Sequence, residues 1–184
     1  MSRLKRFLPV EILKTIYNAL VQPHLNYVIL LWGKNIRRIR KLQKWAVRSI
    51  TCSKYNAHTD PLFIKLKILK VDDIYKLNLL KFAFKYNHKL LPNYFYGKFD
   101  PTYANHDHDT RQSGQPVVAI PRTSSAENSI RYSLPNLMIK TNPAITEKIT
   151  THSFTGFSNY AKQYFISQYN STCTIENCYI CNQN

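Results

Sequence analysis

The chain has 184 residues, 44% of them hydrophobic and 13% aromatic, which is enough apolar side chain for a buried core and too much for wholesale disorder. Lys and Arg outnumber Asp and Glu by 26 to 10, and a formal net charge of +16 favours a polyanionic partner, because like charges in such excess oppose a compact state. The longest uninterrupted apolar run, Val28 to Trp32, is far short of the roughly 20 residues that cross a bilayer. The basic opening Met1 to Arg6 runs into Pro9, Glu11 and Lys14 rather than an apolar signal core, so an intracellular protein of nucleus or cytoplasm, with no membrane partner, is expected.

Taken in chain order, Pro9 followed by Val10, Ile12, Leu13, Ile16, Tyr17 and Leu20 has helical spacing, with the proline at a tolerated first-turn position. Pro23 lacks an amide donor, so a second, offset helix is expected over residues 23 to 32, ended by Gly33. A third helix is predicted from about Asn35 to Cys52. His58 to Pro61 reads as a turn in which Thr59 or Asp60 caps a short fourth helix carrying Leu62, Phe63, Leu66 and Leu69. A fifth begins near Asp72, turns Ile74, Leu77, Leu80, Phe84 and Leu90 inward, and stops before Pro92. Five helices in about ninety residues imply a packed bundle.

The third helix carries the functional signal. At about 100° per residue, Arg37, Arg40, Lys41, Lys44 and Arg48 share about a third of the circumference, with Ile39, Leu42, Ala46 and Ile50 opposite. Such a stripe can follow consecutive phosphates, and Trp45 on its border can stack on a base or serve simply as core. The charge map agrees: residues 1–90 hold 19 of the 26 Lys and Arg against Glu11, Asp60, Asp72 and Asp73, whereas residues 91–184 hold seven against six acids.

Beyond Pro92 the texture shifts to Asn, Tyr, Gly, Pro, Ser and Thr with short apolar pieces such as Pro116 to Ile120. The expectation is therefore a mainly α chain: a basic helical domain over 1–92, then an extension over 93–184 with turns, short strands and one or two helices near Pro143 to Thr150 and Phe157 to Tyr169. Cys173, Cys178 and Cys181 are spaced C-x4-C-x2-C, a set that can hold zinc if His152 folds back as a fourth ligand, or can remain free thiols. No other cofactor is expected.

Catalytic constellations are scarce. A polymerase needs carboxylates holding two metal ions, and only Asp72 and Asp73 are adjacent; their helical context favours a capping and dipole role at a helix start. His106, Asp107, His108 and Asp109 alternate as metal ligands can on a strand, but read equally as a polar loop. Glycine-rich phosphate loops, paired-histidine zinc helices and serine elbows are missing from the sequence.

Several segments together resemble the C-terminal part of reverse transcriptases from non-LTR retrotransposons of the jockey-like or a related kind. They are Ile16 to Leu20 through Pro23-His24-Leu25-Asn26-Tyr27 and Trp32-Gly33, then Leu42-Gln43-Lys44 to Val47-Arg48-Ser49-Ile50, His58 to Phe63, Leu91-Pro92, Thr110-Arg111 and the terminal Cys178-Tyr179-Ile180-Cys181. The resemblance implies a thumb that grips RNA, DNA or an RNA/DNA hybrid, followed by a C-terminal extension. It also implies that fingers and palm, with the catalytic aspartates of an RNA-directed DNA polymerase, would lie before Met1. The expected function is non-catalytic binding of nucleic-acid backbone; the alternatives are part of an active reverse transcriptase when joined to an upstream palm, or a helical protein-interaction module.

Overall fold

Pro9 stands at the N-cap of α1 (Val10–Ile16), where its missing amide costs nothing. The chain then passes through a π-helical turn, Tyr17–Val21, directly into α2 (Gln22–Asn26), so Pro23 does not break the helix as expected. In the π turn the Gln22 amide donates to the Tyr17 carbonyl five residues back, and the wider turn absorbs the disruption before the proline. The extra residue also rotates the buried stripe: Leu13, Tyr17, Leu25 and Ile29 face the core at spacings of four or eight, while Leu20, predicted inside on a 3.6 period, is exposed. The computed structural model describes residues 7–33, 36–99, 118 and 120–169.

The real break comes five residues after Pro23, at Val28, whose φ of 47° is left-handed. The four-residue α3 (Ile29–Trp32) follows and stops at Gly33. A β-branched residue pays about 1–2 kcal/mol for that conformation, and the Val28 side chain is 42% exposed, so little packing offsets it. Val28→Gly is expected to raise the unfolding free energy by about 0.5–1 kcal/mol, seen as a higher urea midpoint; a lower midpoint would refute the strain.

The amphipathic α4 (Arg37–Ile50) ends with Cys52 left-handed at φ 53° and with the Ser53 amide donating to the Arg48 carbonyl. Next, α5 (Asp60–Leu66) has Pro61 in its first turn as predicted. Lys67 closes it at φ 54°, and the amides of Lys67 and Ile68 return to the carbonyls of Ile64 and Phe63 in a Schellman ending. Leu69 therefore lies beyond α5 in an extended link, still buried. The long α6 (Val71–Asn87) carries Asp72 and Asp73 in its first turn. It is buried over most of its circumference, with Ile74, Leu77, Leu80 and Phe84 inside as expected and Leu90 outside, past its end.

The second half departs further from expectation. Among the described residues there is no strand; residues 124–167 instead form α7 (Ser124–Glu127), α8 (Ile130–Lys140), α9 (Pro143–Thr151) and α10 (Phe154–Ser167). The last two were predicted. The others were hidden by Pro135, which lies inside α8 and is buried, and by the shortness of α7. The segment 116–120 expected to be extended falls mostly outside the described residues.

Contacts divide the chain into two compact units. One comprises 1–29, 35–74 and 162–184; the other comprises 30–34 and 75–161. In the first, Leu13, Tyr17, Val47, Ile50, Phe63 and Val71 are almost wholly buried. In the second, Phe84 stacks on Phe157 at a centroid distance of 5.4 Å and meets Phe154 edge-on at 5.5 Å, and Ile145 and Ile149 are fully buried. The first unit is discontinuous in sequence: Tyr169 hydrogen-bonds to Asp73 and Lys70 within it. No helix among the described residues is long and apolar enough to cross a membrane.

Candidate nucleic-acid interface

One buried side chain sets the rotation of α4. Gln43 is 2% exposed, and its amide is held by partners of opposite kind: Oε1 accepts from the Val71 amide at 2.8 Å, and Nε2 donates to the Leu69 carbonyl at 2.8 Å and to the Tyr17 hydroxyl at 3.0 Å. It serves the otherwise orphaned first amide of α6 and ties the π turn, α4 and α6 together. Burial raises the pKa of the Tyr17 hydroxyl, with the Gln43 hydrogen bond opposing the rise. With Gln43 inside, Ala46, Val47 and Ile50 complete the buried face, and Leu42, expected opposite the basic stripe, is 65% exposed.

The expected stripe is consequently divided. Arg37 and Lys41 are exposed and Lys44 is half-buried. Arg40 instead forms a two-point ion pair with Asp72, its Nε reaching Oδ2 at 2.8 Å and Nη2 reaching Oδ1. Arg48 turns toward the segment after α4, where its Nε donates to the Ala57 carbonyl at 2.9 Å. Arg38, which fell outside the predicted arc, joins the solvent face instead. Trp45 is 49% exposed, in the middle of this face rather than at a core border.

Charge accounting favours a ligand for these cations. The four acids of residues 1–90 are Glu11, Asp60, Asp72 and Asp73. Asp60 pairs with Lys70 at 2.7 Å, Asp72 with Arg40, and Asp73 accepts from the Tyr169 hydroxyl at 2.7 Å. Among the described residues no acid forms an ion pair with Arg37, Arg38, Lys41 or Lys44. Arg37 and Arg38 also occupy the first turn of α4, which has no acid and no side-chain cap, where the helix dipole disfavours cations. Their placement contributes nothing to the helix, whereas an anion there would meet both the guanidinium groups and the free end of the backbone ladder.

The adjacent carboxylates act in the fold. Asp72 holds Arg40, and Asp73 is buried beneath Tyr169, whose ring stacks edge-on to Phe63 at 6.4 Å and lies under the Lys70 ammonium at 4.3 Å. The Lys70 amide donates to the Tyr169 hydroxyl at 3.0 Å. Burial foremost, and then the Asp73 charge, push that phenol far above its ordinary value.

Among the described residues, no three His, Cys, Asp or Glu side chains come together as a metal site. The alternating set His106 to Asp109 and the cysteines Cys173, Cys178 and Cys181 lie outside the described residues. His152 lies within them, and its Nδ1 shares a 2.9 Å hydrogen bond with the Thr151 hydroxyl. Comparisons with protein families, curated proteins and solved structures find no match to this chain.

Proposed function

We propose that this chain binds the backbone of nucleic acid through the solvent face of α4, as a thumb-like element without polymerase chemistry of its own. The observation that carries the reading is the set of exposed cations, Arg37, Arg38 and Lys41 with half-buried Lys44, none of them in an ion pair with a described acid, while Asp60, Asp72 and Asp73 are engaged elsewhere. Arg37 to Lys44 spans about 10 Å of helix axis, which matches about three phosphates of one strand. Arg40, exposed but paired with Asp72, and Arg48, hydrogen-bonded to the Ala57 carbonyl, have partners within the chain already. The sequence resemblance to the C-terminal part of non-LTR reverse transcriptases supports the same reading, as does the concentration of charge in residues 1–90.

Affinity for a 20-nucleotide oligonucleotide should fall linearly on a log–log plot against salt. Replacing Arg37, Lys41 and Lys44 together by Gln should make that slope shallower by about 2 to 3, roughly 0.7 to 0.9 for each phosphate contact removed. Undetectable binding at low salt, or an unchanged slope in the triple variant, would overturn the proposal.

A further inference from the structure

The α4 face is not purely cationic. Trp45 at 49% exposure and Leu42 at 65% stand among Arg38, Lys41 and Lys44. On a helical projection Lys41, Trp45 and Arg38 follow one another within about 60°, with Leu42 next. An indole in the centre of a basic stripe is an obstacle on paired duplex, where the strands offer phosphate and sugar along the sides and hide the base faces in the stack. An unpaired strand offers both: phosphates for the cations and a flat base face for the ring, with sugar or base edge against the leucine. Core packing accounts for only part of Trp45: Gln43, Ala46, Val47 and Ile50 form the buried face, and 49% of the tryptophan stays exposed.

Resting on the reading above, we infer that the α4 face selects single-stranded over double-stranded nucleic acid, with Trp45 stacking on a base while Arg38, Lys41 and Lys44 hold the flanking phosphates. Charge complementarity fits an anionic strand better than a protein surface, since no described acid pairs with these cations.

The test uses the full chain with a 20-nucleotide oligo-dT, a blunt hairpin duplex of equal charge, and poly-glutamate. Single strand should quench the Trp45 part of the fluorescence, defined against a Trp45→Phe variant in which only Trp32 reports; duplex and poly-glutamate should quench it little. Trp45→Ala should weaken single-strand binding about tenfold, the cost of one lost stacking contact, leave duplex binding within about twofold, and leave the salt slope unchanged. Leu42→Ser should reduce single-strand binding by a smaller factor, and circular dichroism of both variants should match the parent. The inference fails if Trp45→Ala weakens single strand and duplex equally or neither, or if poly-glutamate quenches as well as DNA. If binding shows no salt dependence at all, the backbone-binding proposal falls with it. Salt-dependent binding with Trp45→Ala neutral sinks the single-strand selectivity alone.

Discussion

Gln43→Met is expected to lower the unfolding free energy by about 2–4 kcal/mol, a drop in melting temperature of roughly 5–15 °C for a chain of this size. Methionine keeps the length and bulk of the side chain, so the loss reports the polar atoms and not a cavity. It leaves the Val71 amide, the Leu69 carbonyl and the Tyr17 hydroxyl without the partner each has now. A buried donor or acceptor left unmatched costs about 1–3 kcal/mol, and local relaxation of the non-helical link after α5 recovers part of that. Gln43→Glu should be worse at neutral pH, because a carboxylate would face the Leu69 carbonyl in a buried site. Burial raises the folded pKa of the introduced acid above its unfolded value near 4.3, so the protonated form is favoured in the folded state. The deficit should therefore be smallest at acid pH and grow as pH rises above about 4. A Gln43→Met protein as stable as the parent would show that the amide is replaceable by water. Loss of stability at Gln43 should also weaken oligonucleotide binding only where the protein is partly unfolded, since the amide faces away from the cations.

The second large effect is expected at Tyr169. Tyr169→Phe retains the ring against Phe63 and beneath Lys70 but removes the hydroxyl that donates to Asp73 and accepts from the Lys70 amide. A hydrogen bond to a carboxylate is worth about 1.5–3 kcal/mol, so a loss of about 2–3 kcal/mol is expected in urea unfolding. Asp73→Asn keeps an acceptor for the same hydroxyl and should cost less, about 1 kcal/mol. The pH dependence separates this bond from simple packing. The folded pKa of Tyr169 is raised, chiefly by burial, and those of Tyr17 and Tyr75 are raised by burial also. The folded state thus holds protons that the unfolded chain releases near pH 10. Their stabilising contribution is complete below about pH 10 and is lost as pH rises toward the folded values. Above pH 10 the parent should lose stability more steeply than Tyr169→Phe by about one proton, or about 1.4 kcal/mol per pH unit. Parallel curves for the two proteins would contradict the assignment.

Tyr169 also explains why the division into units does not follow the chain. Its partners Asp73 and Lys70 lie 96 and 99 residues upstream, so the end of the described C-terminal segment completes the core of the N-terminal helices. Composition changes near residue 93, but packing does not follow composition where a distant tyrosine fits a buried carboxylate.

Local chemistry made several features legible from the amino-acid order alone. Pro9 and Pro61 marked helix starts because their ring geometry suits a first turn; Ile74, Leu77, Leu80 and Phe84 marked a buried face because their period matches a helix. The basic character of α4 was equally plain, since charge is carried by residue type wherever the chain folds. Tertiary structure alone decided which face of α4 turns outward. A glutamine reads as polar and a leucine as apolar, yet Gln43 is buried and Leu42 exposed, because three groups 26 to 28 residues away satisfy the amide. The same holds for the cations: Arg40 and Lys41 are adjacent, alike in sequence and both exposed, but Asp72, 32 residues beyond Arg40, pairs with that guanidinium, whereas Lys41 has no ion-pair partner among the described residues. Residue identity sets the charge of a helix and its period sets a stripe, whereas partners distant in sequence determine which of those side chains remain available to a ligand.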